Sequence, residues 1–197
     1  ASRPAAKGSC GGNDMRVLLI SPLCAPTVNA TAFTSAKIAM ALVCAGVDVT
    51  VVRDPTTGAR PDVKDASALW KTIEGRVHAV APPERGNLAA TLWWGMRYRV
   101  CRVYPRWIRR VVKTAQAWHR EQPFDVVYSR SLPMTAHLAG YWTARALGLR
   151  WVANINDPWD LHLFPNVDPA LASPMRRRVS MAWLRRCLLY TSPSPRD

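Results

Sequence analysis

Residues Arg16 to Ile20 (RVLLI) put four apolar side chains in unbroken succession. A strand with one face in water alternates apolar and polar residues, so an unbroken run predicts a strand covered on both faces. Ser21-Pro22 ends the run and a loop leads to Ala30. From Thr31 to Ala45 the apolar residues Ile38, Ala41, Leu42 and Ala45 recur at helical spacing. Asn29 or Thr31 can cap that helix, and Gly46 stops it. Asp48-Val-Thr-Val-Val52 is the next strand. Strand, helix and strand in this order form a βαβ unit, which requires a right-handed crossover and a parallel sheet.

The pattern returns later in the chain. Phe124 to Ser129 reads as a strand, Leu132 to Leu147 as a helix ended by Gly148, and Trp151 to Asn156 as a strand closing at Asp157-Pro158. Between the two units, Arg76 to Val80 reads as a short strand. Asn87 to Gln122 reads as helical, with a break or a helix start at Pro105, and Pro174 to Arg186 reads as a further helix. Alternating elements of this kind define an α/β fold: a Rossmann-like, doubly wound parallel sheet.

The ends read differently. Ala1 to Asp14 are small and polar, without periodicity and without the apolar region of a secretory signal, and Met15 opens directly onto the first strand. Residues 1–14 are therefore expected to be a disordered leader. Cys187 to Asp197 (CLLYTSPSPRD) resemble a frame translation of the transposon-end adapter used in shotgun DNA libraries. Residues 187–197 are accordingly expected to be an adapter-derived tail, and 15–186 one domain of a longer protein.

Composition narrows the function classes. A formal net charge of +14 favours anionic partners: nucleic acid, anionic lipid or phosphate-bearing substrates. No stretch reaches the roughly 18 continuous apolar residues of a membrane-spanning helix. Cys10, Cys24, Cys44, Cys101 and Cys187 form no CxxC pair and no zinc spacing, which fits a reducing cytoplasm. The sequon Asn29-Ala30-Thr31 would go unused there.

In open parallel sheets, ligands bind outside the carboxyl ends of the strands. Three segments fall there: Ser21 to Thr31, Ser129-Arg130-Ser131, and Asn154 to Trp159. The first precedes a helix N-terminus, whose free N–H groups suit phosphate, yet it lacks the glycines of a dinucleotide or P-loop signature and equally fits an ordinary turn. Arg130 fits either a cleft residue or a surface strand end. Asp157 fits either a site carboxylate or a turn starter and helix cap. His137, mid-helix among Ala, Leu and Gly, reads as a packed or half-exposed residue, and His162 lies on a loop after Trp159.

The segments MRVLLISPLCAP, NATAFTSAKIAMALVCAGVDVTVV and FDVVYSRSLPMTAHLAGYWTARALGLRWVANINDPW resemble the N-terminal domain of GT-B retaining glycosyltransferases of the family 4 type. That large family includes bacterial lipopolysaccharide and phosphatidylinositol sugar transferases. The likeness spans Met15 to Arg186 and lies in element order plus two local patterns, strand-SRS-helix and strand-DPW. Ala25, Pro26 and Ala30 stand where the family's first loop carries glycines.

The resemblance implies the N-terminal half of a GT-B fold, with the active site in a cleft between two Rossmann-like domains. It implies transfer with retention from a nucleotide-sugar donor to a glycan or lipid-linked acceptor. No metal and no cofactor beyond the donor itself are implied. It places Asn29 and Thr31 near donor phosphates or acceptor, Arg130 and Ser131 at the acceptor side, Asp157 facing the cleft as the catalytic candidate, and Trp159 as a stacking platform.

Trp93 to Lys113 (WWGMRYRVCRVYPRWIRRVVK) contains no acidic residue. Arg99, Arg102, Arg106, Arg109, Arg110 and Lys113 recur at three- and four-residue steps, with Met96, Val100, Val103, Trp107 and Val111 opposite. Such a helix either lies in an anionic membrane interface, with Trp93, Trp94, Trp107 and the arginines as contacts, or packs its apolar face on the sheet. Arg176 to Arg178 and Arg185-Arg186 extend the basic character. The expected location is cytoplasmic, peripheral to the inner face of the plasma membrane. The same charge and aromatics admit a non-catalytic membrane-surface or nucleic-acid-binding module, but the βαβ order matches no common nucleic-acid-binding fold, so nucleic acid is the less favoured partner. The sequence leaves oligomeric state open.

Overall fold

The computed structural model describes residues 15–27, 29–56, 68–82, 89, 104–131, 133, 135–155 and 189–191. Its strands are β1 (Arg16–Ile20), β2 (Asp48–Arg53), β3 (Val77–Ala79), β4 (Val126–Arg130), β5 (Arg150–Asn154) and β6 (Leu189–Thr191). Its helices are α1 (Ala30–Cys44), α2 (Ala68–Ile73), α3 (Tyr104–Glu121) and α4 (Thr135–Leu147). The strands form one sheet in the order β3-β2-β1-β4-β5-β6, with every pair parallel. This is the Rossmann-like doubly wound arrangement expected from the alternating pattern.

Period-two alternation on the strands explains the two layers of helices. On β1, Val17 and Leu19 enter one core with Val49 and Val51 of β2 and Ala36 and Ala39 of α1. Leu18 and Ile20 enter the other with Val52, with Trp107, Ile108 and Val111 of α3, and with Leu138 and Ala139 of α4. β1 is thus covered on both faces, as its unbroken apolar run requires. Buried small residues (Ala32, Ser35, Ala36 and Ala39) line the face of α1 that meets the sheet. α1 ends at Gly46 and α4 at Gly148, both with positive φ (82° and 70°), where a side chain would strain the backbone.

The sequence boundaries needed small changes. α1 starts at Ala30 because Asn29 takes the cap: its Oδ1 accepts the Ala32 N–H at 2.7 Å. α4 starts at Thr135 rather than Leu132, and α3 starts at Tyr104, one residue before Pro105, where a proline lacks no bond that the helix needs. Leu189–Thr191, expected to lie outside the domain, pairs in parallel with Val152 to Asn154.

Trp107 is the main correction. Expected at a membrane contact, it is only 2% exposed, and its Nε1–H donates to the Val80 carbonyl at 2.9 Å. The apolar face of α3 packs onto the sheet and against α4, which leaves only the basic flank for any surface. Trp93, Trp94, Arg99 and Arg102 lie outside the described residues.

At the amino edge Asp48 accepts from both Arg16 and Arg76, and the Arg16 guanidinium also donates to the Gln122 and Pro123 carbonyls. These contacts tie β1 and β2 to the start of β4.

α4 rides unusually close to the sheet at Gly140. A Cβ there would sit 2.7 Å from both Ser129 Cβ and Trp151 Nε1. Gly140→Ala should gain about 1 kcal/mol in helix propensity but lose more, since overpacking a fixed core costs about 1–3 kcal/mol. A lowered urea midpoint at unchanged m-value is the expected result, and a raised midpoint would show that α4 can lift off freely.

Candidate functional site

The sheet reverses direction of growth between β1 and β4, and the crevice at the carboxyl ends of two such strands is where ligands of doubly wound folds bind. The register sets which residues meet there. Ile20 pairs with Val52 on one side and with Ser129 on the other. One step further, Arg53, Ser21 and Arg130 stand side by side at the carboxyl edge. Each continues its strand's alternation toward α1, after Val49 and Val51, Val17 and Leu19, and Val126 and Tyr128 respectively. The Ser21 N–H donates to the Val52 carbonyl and the Asp54 N–H to the Pro22 carbonyl, so the first loop is stitched to β2.

Arg130 is only 1% exposed. Its Nη1 donates to the Thr31 carbonyl at 2.9 Å and to Ser35 Oγ at 2.7 Å. Ser35 Oγ also bonds the Thr31 carbonyl, and Ser21 Oγ bonds both Ser35 Oγ and the Leu23 carbonyl. A guanidinium on β4 therefore braces the first turn of α1 and the loop before it. The sequence left Arg130 open between a cleft residue and a surface strand end; it lies at the edge but is buried, bonded to the protein.

Ser131, also 1% exposed, donates its N–H to the Asn154 carbonyl at 3.1 Å and joins the ends of β4 and β5. Asn29 spends its Oδ1 on the helix cap, and Thr31 contributes its carbonyl to the brace. Asn29, Thr31, Arg130 and Ser131 thus converge on one edge, and the bonds described here go to neighbouring protein groups. Asp157, Trp159 and His162 lie outside the described residues.

A second buried polar group backs the first from the opposite face of the sheet. Ser129 Oγ lies 2.8 Å from His137 Nδ1 and accepts the Trp151 indole N–H at 2.7 Å. His137 is fully buried; burial, reinforced by the positive charge of Arg130, pushes its pKa down to about 3. It stays neutral near pH 7 and serves packing and hydrogen bonding. Cys24, buried in the first loop, is pushed up to about 11, chiefly by burial, so it is a thiol near neutral pH.

Ser21, named only as the start of the first loop segment, Ser35 and Arg53 were given no role in the sequence. A polar residue ending an apolar alternation (17, 19, 21) and a serine inside the small-residue stripe of a helix are the signals that could have found the first two. Among the described residues, no three His, Cys, Asp or Glu come together in a metal-holding group, and no helix is long and apolar enough to cross a membrane.

The comparisons bear on fold. No family model matches the chain, and no curated protein matches it. Among solved structures, a UDP-N-acetylglucosamine 2-epimerase aligns over 93% of this chain and 43% of its own, with a TM-score of 0.50 and 11% identity. A protein of Listeria monocytogenes assigned as the same kind of epimerase aligns over 93% of this chain and 40% of its own, with a TM-score of 0.49 and 12% identity. The C-terminal domain of a Pyrococcus furiosus hydrogenase aligns with a TM-score of 0.41 and 12% identity, over 74% of this chain and 95% of its own. The first of these supports a Rossmann-like, GT-B-like fold. The chain spans about two fifths of the length of the two epimerases.

The buried imidazole has a measurable signature. The unfolded chain protonates His137 near its ordinary value of 6.5 while the native state does not until about pH 3. Between those values the unfolded state binds the extra proton, so stability falls as pH falls, by up to about 1.4 kcal/mol per pH unit from this one group. The His137 ring resonances should not titrate between pH 7 and 5, and titration near 6.5 would contradict its burial.

Proposed function

We propose that this chain is the acceptor-side, N-terminal half of a nucleotide-sugar-dependent glycosyltransferase. The observation that carries the reading is the braced carboxyl edge at the β1/β4 reversal, formed by the segments whose order resembles the glycosyltransferase N-terminal domain. A fold shared with a UDP-N-acetylglucosamine 2-epimerase supports sugar-nucleotide chemistry at a coarser level. In this reading the edge holds an acceptor hydroxyl beside the anomeric carbon of the donor, a contribution of position rather than of covalent chemistry. Asn29, the cap of α1, and Thr31, in its first turn, follow the first loop, which in this reading faces the donor phosphates. Asp157 is the catalytic candidate of this reading and Trp159 its stacking platform. Transfer proceeds with retention and without a metal. Most of the contacts that stabilise the departing nucleotide belong to a second domain.

The chain alone should therefore show no turnover with any nucleotide sugar. Joined to a second Rossmann-like domain that binds a nucleotide sugar, it should move radiolabelled sugar from a nucleotide donor to a lipid or glycan acceptor. Turnover by the chain alone would overturn the proposal. Interconversion of UDP-N-acetylglucosamine with its 2-epimer, without an acceptor, would replace it with the epimerase reading.

The basic flank of α3 supports a peripheral place on an anionic membrane. Arg106 and Arg109 are half-buried, Arg110 and Lys113 are exposed, and no acidic residue lies in the helix's first turn. With Trp107 in the core, attachment rests on charge. Co-sedimentation with anionic vesicles should fall with added salt and with Arg110→Glu/Lys113→Glu. Salt-insensitive binding would point to inserted aromatic side chains instead.

A further inference from the structure

Two cations flank the first loop, and only Arg130 is spent on bracing it. Arg53 stands at the same level on the other side of Ser21, at the end of β2, and is half-buried. Its position is fixed from both sides: its carbonyl accepts the Val80 N–H at 2.9 Å, and the next residue's N–H bonds Pro22. Among the described residues no carboxylate pairs with it. The nearest acid in sequence, Asp54, falls on the opposite alternation, and its Oδ1 accepts from the Thr56 N–H and hydroxyl at 2.9 and 2.7 Å. Both Arg53 and Arg130 act electrostatically on the Cys24 thiol, which places the two charges around one loop.

The surroundings add positive character. α1 begins above this row, its first turn has no acidic side chain, and its N-terminus carries the positive end of the helix dipole. Two arginines and a helix N-terminus at one edge repel one another unless an anion joins them. A half-buried arginine held at its backbone suits a phosphoryl group, which a guanidinium can grip with two parallel N–H bonds.

We propose that Arg53 is an anion-binding residue of the switch-point edge and takes a phosphoryl oxygen of the ligand, on the β2 side of the first loop. Its role rests on the sugar-transfer reading only for the source of that phosphoryl group: the donor's diphosphate or a phosphate-bearing acceptor.

The test is calorimetric titration of the whole chain with inorganic pyrophosphate, UDP-N-acetylglucosamine and geranyl phosphate. Wild type, Arg53→Gln, Arg53→Lys and Arg120→Gln are compared, with melting curves for each. Arg53→Gln should weaken pyrophosphate about tenfold or more, the scale of one charge-assisted contact, without changing the melt. Arg53→Lys should keep part of the affinity, and Arg120→Gln, which removes an exposed charge at the amino-edge end of α3, should change nothing.

Equal binding by Arg53→Gln and wild type, equal loss in Arg120→Gln, or no pyrophosphate binding at all would overturn the proposal. An Arg53-dependent loss for UDP-N-acetylglucosamine assigns the donor, and one for geranyl phosphate assigns the acceptor. Arg53-dependent pyrophosphate binding without binding of UDP-N-acetylglucosamine would sustain the site and count against that nucleotide sugar as donor. UDP-N-acetylglucosamine binding indifferent to Arg53 would do the reverse.

Discussion

β1 is hydrogen-bonded along both edges, to β2 and to β4, so its side chains must enter one helical layer or the other. Each layer has its own core, and both cores are anchored on this five-residue strand. At its carboxyl end the alternation runs out of apolar residues and delivers Ser21 to the level of Arg53 and Arg130. The chemistry at the edge is therefore a continuation of the packing pattern, displaced by one step beyond the core.

The two polar clusters at this edge come from adjacent residues of β4. Ser129 faces the α3–α4 layer and meets His137 and Trp151, whereas Arg130 faces α1 and meets Ser35 and Thr31. Buried polar groups cost free energy unless they are bonded, and bonded networks limit the arrangements a structure can take. Together they fix the end of β4 against both helical layers, which keeps the loops at the reversal in place before any ligand arrives.

Much of this was legible in the chain. Unbroken apolar runs located β1 and the later strands, and Gly46 and Gly148 marked two helix ends. Periodicity located the apolar face of α3 but could not say whether sheet or lipid covers it. An aromatic stripe looks the same in both settings, and only the Trp107 bond to Val80 decides between them. Arg130 illustrates a different limit. A strand-end arginine looks solvated in sequence, because the carbonyl and hydroxyl that receive it belong to a helix start far away along the chain. Arg53 was invisible for the same reason, its meaning lying in the register between β1 and β2.

The brace from Arg130 to Thr31 joins residues 99 positions apart. During synthesis, at about 5–20 residues per second, the front loop would wait several seconds or more for the residue that completes it. Until β4 docks, α1 can form its cap and pack on the first two strands, yet its opening turn lacks the guanidinium that holds it down. The carboxyl edge is thus among the last parts of the domain to acquire its shape, although its first loop is written early in the sequence. A nascent chain halted before the fourth strand would carry a recognisable core with an unfinished rim.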